Sequence, residues 1–239
     1  RPPRSTLFPY TTLFRSLRWK HPTKGLISPD VFIPVAEQNG MIGKLSEWVF
    51  DRGLADWLRW SEDSRTQLSL SFNLSVAQFV ARDHIDLALQ RLRDSELAGR
   101  HQLMVEITES LKLSDNSEYV DILQRLRDSG CRIAIDDFGT GYSSLSYLKR
   151  MPVDIIKIDK SFVRDITSDP ADAEMIRAIL QMAGAFGLDT IAEGVETPEQ
   201  LAFLQAHGCN YAQGYLFSRP LPLSEFAEYA KQPVVVHQS

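Results

Sequence analysis

Cysteine is nearly absent. Cys131 and Cys209 are the only two in 239 residues, too few for a disulfide framework or a zinc cage, and a reducing cytosol suits them. No stretch approaches the roughly 18 consecutive apolar residues of a membrane-spanning helix, so direct membrane insertion is not expected. Basic residues are not in excess either: Lys plus Arg number 26 against 31 Asp plus Glu, a formal net charge of -5. A mildly acidic chain without a basic tract is a poor binder of nucleic-acid polymers or of anionic membrane surfaces. The five histidines show no pairing at metal-ligand spacing. What remains, 44% hydrophobic, 24% charged and 10% aromatic residues, is the make-up of an ordinary globular protein.

The first sixteen residues stand out. Thr6–Ser16 repeats Thr-Leu-Phe within itself and fits neither a strand nor a helix period. It resembles the translation of a common sequencing-adapter oligonucleotide, so Arg1–Ser16 is expected to be foreign and is set aside, as tags and scars are. The expected organisation is one domain over residues 17–232, followed by a tail at 233–239.

From Leu17 onward two textures alternate. Short apolar runs lie at Leu68–Phe72, Leu103–Val105, Arg132–Ile135, Asp154–Ile156, Asp189–Ala192 and Asn210–Ala212. Between them, apolar residues recur at helical spacing: Leu45, Trp48, Val49 and Leu54; Leu87, Leu89 and Leu92; Val120, Leu123 and Leu126; Met175, Ile176, Ile179, Leu180 and Ala183. Trp48, Trp57 and Trp60 share that spacing and are expected in the core. Thr197-Pro198-Glu199-Gln200 has the form of a capping box with Pro at the first helical position. Gly130, Gly187 and Gly208 each close a helical run, where a left-handed cap favours a residue without Cβ. Strand, loop, helix, Gly, strand is the repeating unit, and it predicts a parallel sheet. About six such units suit a TIM-like (β/α) barrel, an α/β single domain lacking its first strand. An open doubly wound sheet is the alternative, but no glycine-rich phosphate loop follows any strand.

The apolar runs end in polar residues: Asn73, Glu106, Asp136-Asp137, Lys157 with Asp159 beyond, Glu193, and Gln213. In a parallel barrel these strand ends converge on one face, where catalytic groups gather. Four carboxylates, two carboxamides and a lysine would then share one rim. Crowded carboxylates repel in a reduced dielectric, so protons or cations must offset them. Oxygen ligands without clustered His or Cys favour Mg²⁺, Mn²⁺ or Ca²⁺ over Zn²⁺. Two ions a few ångströms apart are a common apparatus for attacking a phosphodiester.

Val105-Glu106-Ile107-Thr108-Glu109, Asp136-Asp137-Phe138-Gly139-Thr140-Gly141-Tyr142-Ser143-Ser144-Leu145, Ile156-Lys157-Ile158-Asp159, Ala192-Glu193-Gly194-Val195-Glu196 and Gln213-Gly214-Tyr215 with Pro220 resemble the EAL domain. Leu17-Arg18-Trp19 and Phe32–Glu37 resemble it too. That family comprises bacterial phosphodiesterases that linearise the second messenger cyclic di-GMP to pGpG. The resemblance implies two ions, Mg²⁺ or Mn²⁺. Asn73, Glu106 and Asp136 would hold one, and Asp136, Asp137 and Glu193 the second. It gives Lys157 to the attacking water, Gln213 to orienting the cluster, and Arg18 to a substrate phosphate. Glu109 would hold the loop after Asp137, which in the family couples the metals to a dimer interface. A homodimer, a cytoplasmic location and an upstream sensory or GGDEF module in a longer parent, which could be tethered to a membrane, are further implications. Asp159, Glu196 and Tyr215 are expected to support or pack against this cluster, and the two cysteines to be buried.

One departure is serious. The family's Glu-Ala-Leu run falls on Phe14, Arg15 and Ser16, inside the adapter-like segment. A glutamate of the first metal site is therefore missing, and loss of a ligand predicts weak or absent activity. Two rivals follow: a degenerate domain that senses cyclic di-GMP or binds proteins, and an aldolase- or enolase-type barrel in which Lys157 forms a Schiff base.

Overall fold

The computed structural model describes residues 8–9, 19–61, 69–74, 102–109, 117–141, 148–221 and 223–229. Strands are β1 (Phe8–Pro9), β2 (Trp19–His21), β3 (Gly25–Ile27), β4 (Ser69–Asn73), β5 (Gln102–Thr108), β6 (Cys131–Phe138), β7 (Ile155–Ile158), β8 (Asp189–Ala192) and β9 (Tyr211–Ala212). Helices are α1 (Pro29–Gln38), α2 (Ile42–Ser61), α3 (Ser117–Asp128), α4 (Lys160–Arg164), α5 (Pro170–Phe186), α6 (Pro198–Ala206) and α7 (Leu223–Tyr229). Seven strands form one sheet in the order β1-β9-β8-β7-β6-β5-β4, and every pairing in it is parallel. From β4 to β9 each strand lies beside its successor in sequence, the order of a (β/α) barrel. Among the described residues no ladder joins the two edge strands, so the barrel is open where a strand is missing. β2 and β3 form a separate antiparallel hairpin.

Among the described residues, the adapter-like segment meets the fold at one point. Phe8–Pro9 pairs with Tyr211–Ala212 at the outer edge of β9. A proline suits an edge position, because it has no N–H to donate to a further strand.

Each strand sorts its residues by parity. Leu103, Val105 and Ile107 of β5, Ile133 and Ile135 of β6, and Ile156 and Ile158 of β7 join the large core beneath the helices. Ile122, Leu123 and Leu126 of α3 and Ile176, Ile179, Leu180 and Ala183 of α5 cover them. The other parity builds a small apolar floor inside the sheet from Met104, Ala134, Ile155 and Ile191, with Tyr211 against it. Two-residue periodicity thus makes one face a helix-covered core and the other a barrel lumen.

The helix ends follow the sequence signals. Thr197 accepts from the Gln200 N–H while the Gln200 side chain accepts from the Thr197 N–H, which is a closed capping box. Gly130, Gly187 and Gly208 have φ of 90°, 72° and 80°. Two expectations fail. Trp48 is 59% exposed, because α2 packs through Gly53 and Leu54 towards Phe72, and Trp48 lies about 140° around the helix from Gly53. Met175 is 43% exposed at the edge of the buried stripe of α5. The side chains of Trp57 and Trp60 and the run at residues 87–92 lie outside the described residues.

Candidate active site

The polar cluster is the second layer of the lumen. Two residues beyond Met104, Ala134, Ile155, Ile191 and Tyr211 come Glu106, Asp136, Lys157, Glu193 and Gln213. An even step along a strand keeps a side chain on the same face, so the apolar floor dictates that this layer faces inward. The parallel ladders then bring its members to one mouth.

Lys157 sits at its centre, and its side chain is 2% exposed. Its Nζ lies 2.7 Å from Asp136 Oδ1, 2.7 Å from Glu193 Oε1 and 3.0 Å from Glu106 Oε2. Three carboxylates, from β5, β6 and the loop after β8, surround the ammonium, which donates a hydrogen bond to Asp136 Oδ1. Burial alone pushes the amine pKa down. Glu106, Glu193 and Asp136 outweigh it and hold the amine above its ordinary value. A Schiff base requires the neutral amine, so this setting opposes the aldolase-type reading. At Glu193 the balance goes the other way. Burial, helped by the charges of Asp136 and Glu106, raises its carboxyl to about 7 despite Lys157.

Asp137 reaches the cluster by breaking the strand rule. Adjacent residues of a regular strand face opposite sides, which would send Asp137 towards the helices. The β6–β7 register shifts between Ile135 and Phe138, and Asp137 has φ of 53°. A bulge of this kind re-aims a side chain, at the cost of a left-handed residue that has a Cβ. As a result, carboxylate oxygens of Asp136, Asp137 and Glu193 all lie within 4.8 Å of one another. Burial and the neighbouring charges of Asp136 and Asp159 raise the Asp137 carboxyl, which also hydrogen-bonds Asp159. Burial raises Asp159 as well, but bonds from the Ser161 hydroxyl and N–H hold it below its usual value. Asp159 thus caps α4 and stands beside Asp137.

The loop after Asp137 is tied back by Glu109. Its Oε2 accepts from the Gly139 N–H at 2.8 Å and the Gly141 N–H at 3.2 Å. Added carbons at those glycines would meet Phe162 at 2.8 Å and Glu109 Oε1 at 3.0 Å. Gln213 follows β9, with its carbonyl accepting from the Val195 N–H at 3.0 Å and its own N–H bonded to Ala192. Buried Oε1 atoms of Glu109 and Gln213 have no hydrogen-bond partner.

The sequence-predicted residues therefore divide. Glu106, Asp136, Asp137, Lys157 and Glu193 converge. Gln213 stands in the same layer and Glu109 beneath the loop. Asn73 ends β4 opposite Glu106 in register, but its side chain is exposed. Arg18 and residues 142–147 lie outside the described residues. Glu196 and Tyr215 are exposed rather than packed under the cluster. Cys131 and Cys209 are buried, as expected, and burial pushes the Cys131 thiol up to about 11. Asp159, expected to support the cluster, lies beside Asp137; sequence reasoning missed the close pass of Gly214, where a Cβ would lie 2.1 Å from the Val195 carbonyl oxygen.

Four carboxylates against one ammonium leave an excess of negative charge in a partly desolvated mouth. Their donors are all hard oxygens, three of them mutually close, which fits Mg²⁺ or Mn²⁺ and not a soft-ligand metal.

Comparison with known proteins agrees with this geometry. The family model described as "EAL domain" matches residues 11–220. The cyclic di-GMP phosphodiesterase NbdA of Pseudomonas aeruginosa is 42% identical over 90% of this chain, and the match covers 27% of NbdA. Another relative in that organism, the bifunctional diguanylate cyclase/cyclic di-GMP phosphodiesterase MucR, is 40% identical over 87% of this chain and 30% of its own length. The chain thus spans less than a third of these curated relatives. Among solved structures, the PaMucR phosphodiesterase in complex with c-di-GMP superposes with a TM-score of 0.79 at 40% identity, covering 87% of this chain and 84% of that one. The EAL domain of Mycobacterium smegmatis DcpA gives 0.72 at 40% identity, covering 78% and 83%. A lumen lined by Glu106, Asp136, Lys157 and Glu193 and a family match over most of the sequence lead to one assignment: the chain belongs to the EAL domain family.

Proposed function

We propose that this chain is a cyclic di-GMP phosphodiesterase that opens the ring to linear pGpG. The observation that carries the reading is the convergence of Glu106, Asp136 and Glu193 on Lys157, with Asp137 turned to the same mouth. Asn73, Glu106 and Asp136 would hold one divalent ion, and Asp136, Asp137 and Glu193 a second. When bound, Mg²⁺ or Mn²⁺ ions supply Lewis acidity and positive charge at the scissile phosphoryl group.

The chain's own residues do the rest. Water adds to phosphorus, the bond from phosphorus to a ribose 3′ oxygen breaks, and that oxygen leaves with a proton. Lys157 keeps a fixed positive charge beside the phosphoryl oxygens and orients the attacking water. Arg18 grips a substrate phosphate, Gln213 steadies the cluster and Glu109 positions the loop that carries Asp137. Residues 17–232 form the catalytic domain, 1–16 are foreign and 233–239 are a tail. Homodimer formation, a cytoplasmic setting and an upstream sensory or GGDEF module in a longer parent complete the reading. MucR, named as both cyclase and phosphodiesterase, supports the last of these.

Because Phe14 stands where the family carries glutamate, the chain as written has impaired activity. Incubation with cyclic di-GMP and Mn²⁺, before and after rebuilding residues 14–16 as Glu-Ala-Leu, tests this by chromatography of pGpG. Rebuilding raises turnover by at least about tenfold on this reading. A rebuilt protein that binds cyclic di-GMP and never cleaves it is instead a sensor.

A further inference from the structure

The capping box of α6 reaches beyond its own helix. Gln200 is buried, and both polar atoms of its side chain are engaged. Its Oε1 accepts from the Thr197 N–H at 3.0 Å, the bond that closes the box, and from the Glu196 N–H at 2.7 Å. Its Nε2 donates at 3.0 Å to the carbonyl of Arg164, the last residue of α4. A capping box accounts for the bonds to Thr197, and a glutamate would make them equally well. The tie to Arg164 needs a donor, which an ionised carboxylate lacks and a carboxamide has. What that tie holds is a five-residue wedge. On one side of α4, Asp159 caps it and hydrogen-bonds Asp137, while Phe162 stands 2.8 Å from where a Cβ on Gly139 would lie. On the other side Gly194, next to Glu193, has φ of 69°, and an added carbon there would lie 2.6 Å from Lys160 Cβ. Glu196 and Thr197, held by Gln200, end that second loop.

We propose that Gln200 is a positioning residue: by fastening α4 to the loop after β8, it sets the spacing of Glu193 from Asp137 that a divalent ion requires. The proposal rests on the metal-dependent reading above and adds to it a residue on α6. Carboxylate oxygens of Asp136, Asp137 and Glu193 lie within 4.8 Å of one another, and charges that close repel. Their loops must be held together by something besides the acids themselves. Lys157 supplies counter-charge on the lumen side. On the other side α4, packed against both loops, supplies a fixed backbone, and Gln200 keeps its far end in place. Hydrogen bonds that orient ligands in this way are commonly worth roughly 10–100-fold in metal affinity.

Two substitutions separate the tether from the cap. Gln200→Glu keeps the acceptor that closes the capping box and removes the donor to Arg164. Thr197→Ala removes the bond to the Gln200 N–H and leaves the tie to α4. Calorimetry of the full chain with Mn²⁺, beside thermal melts in metal-free buffer, reads the difference. Thr197→Ala lowers the melting temperature by about 2–4 °C and leaves Mn²⁺ affinity unchanged. Gln200→Glu weakens Mn²⁺ by about tenfold or more. A second measurement needs no variant: coupling is reciprocal, so Mn²⁺ must tighten the tether in turn. Hydrogen exchange of the parent, read by mass spectrometry, should slow at the Glu196 and Thr197 amides when Mn²⁺ is added. Unchanged affinity in Gln200→Glu, equal losses in the two variants, or exchange at those amides that Mn²⁺ does not alter overturns the positioning role and leaves the metal site intact. A folded parent that takes up no Mn²⁺ overturns both.

Discussion

Lys157 Nζ and Glu193 Oε1 lie 2.7 Å apart, joining the end of β7 to the loop after β8 inside the barrel mouth. The lysine is the counter-charge for three carboxylates that would otherwise repel one another. Lys157→Met removes that charge and leaves Glu106, Asp136 and Glu193 facing one another. Loss of one partner from a buried charge cluster costs on the order of 3–5 kcal/mol. The expected outcome is a lower melting temperature without metal, a larger recovery on adding Mg²⁺ than the parent shows, and hydrolysis reduced at least about 100-fold. Thermal melts and product chromatography check the two halves separately.

The Glu193 carboxyl gives the stability of the metal-free protein a pH dependence with a definite sign. Its folded pKa is about 7, against an ordinary value of 4.5. A group whose folded pKa is raised stabilises the fold fully below the unfolded value, and that contribution is lost as pH rises through the folded value. Parent stability measured by denaturant should therefore fall between about pH 4.5 and 7 relative to Glu193→Gln, which cannot titrate. Divalent ions compete with the same proton, so Mn²⁺ affinity should rise across that interval. Equal slopes for parent and variant would refute the assignment.

Gly214→Ala places a methyl group where the Val195 carbonyl oxygen stands. A rigid backbone neighbour cannot step aside as a flexible side chain can. The substitution is expected to destabilise by about 3 kcal/mol and to weaken Mn²⁺ binding by displacing the Glu193 loop. Alanine at Gly184, inside α5 with nothing within 4 Å of the added carbon, is the control: it should raise stability by up to about 1 kcal/mol and leave Mn²⁺ binding unchanged.

Glu109 acts on Asp137 through the loop between them. Glu109→Ala leaves the Gly139 and Gly141 amides without their shared acceptor. Mn²⁺ affinity should fall roughly 10–100-fold, the usual effect of losing a group that orients a ligand. Glu109→Gln keeps one acceptor oxygen and should recover most of it. Equal losses in both variants would mean that charge, and not the hydrogen bonds, is what matters.

Much of the site could be read from strand parity. Polar residues two positions beyond Met104, Ala134, Ile155 and Ile191 had to share the lumen with them. The barrel order followed from six apolar runs separated by helical spacing and closed by Gly130, Gly187 and Gly208. What could not be read depended on local backbone or on distant contacts. Adjacent residues such as Asp136 and Asp137 reach one site only through a bulge, and nothing in Ile133–Phe138 announces a φ of 53° at Asp137. Trp48 fits a helical stripe, but the stripe that packs is centred on Gly53, chosen for its lack of a side chain against Phe72. Phe8–Pro9 beside β9 was equally hidden, since two residues are too few for any periodic signal.

Divalent-ion uptake by the acidic mouth is the claim on which the catalytic reading depends. Calorimetry with Mn²⁺ on the parent, on Asp136→Asn and on the chain rebuilt at residues 14–16 measures it directly. At least one ion bound by the parent, a second gained on rebuilding, and loss of binding in Asp136→Asn is the predicted result. No uptake by the rebuilt chain, or uptake that Asp136→Asn leaves unchanged, would contradict it.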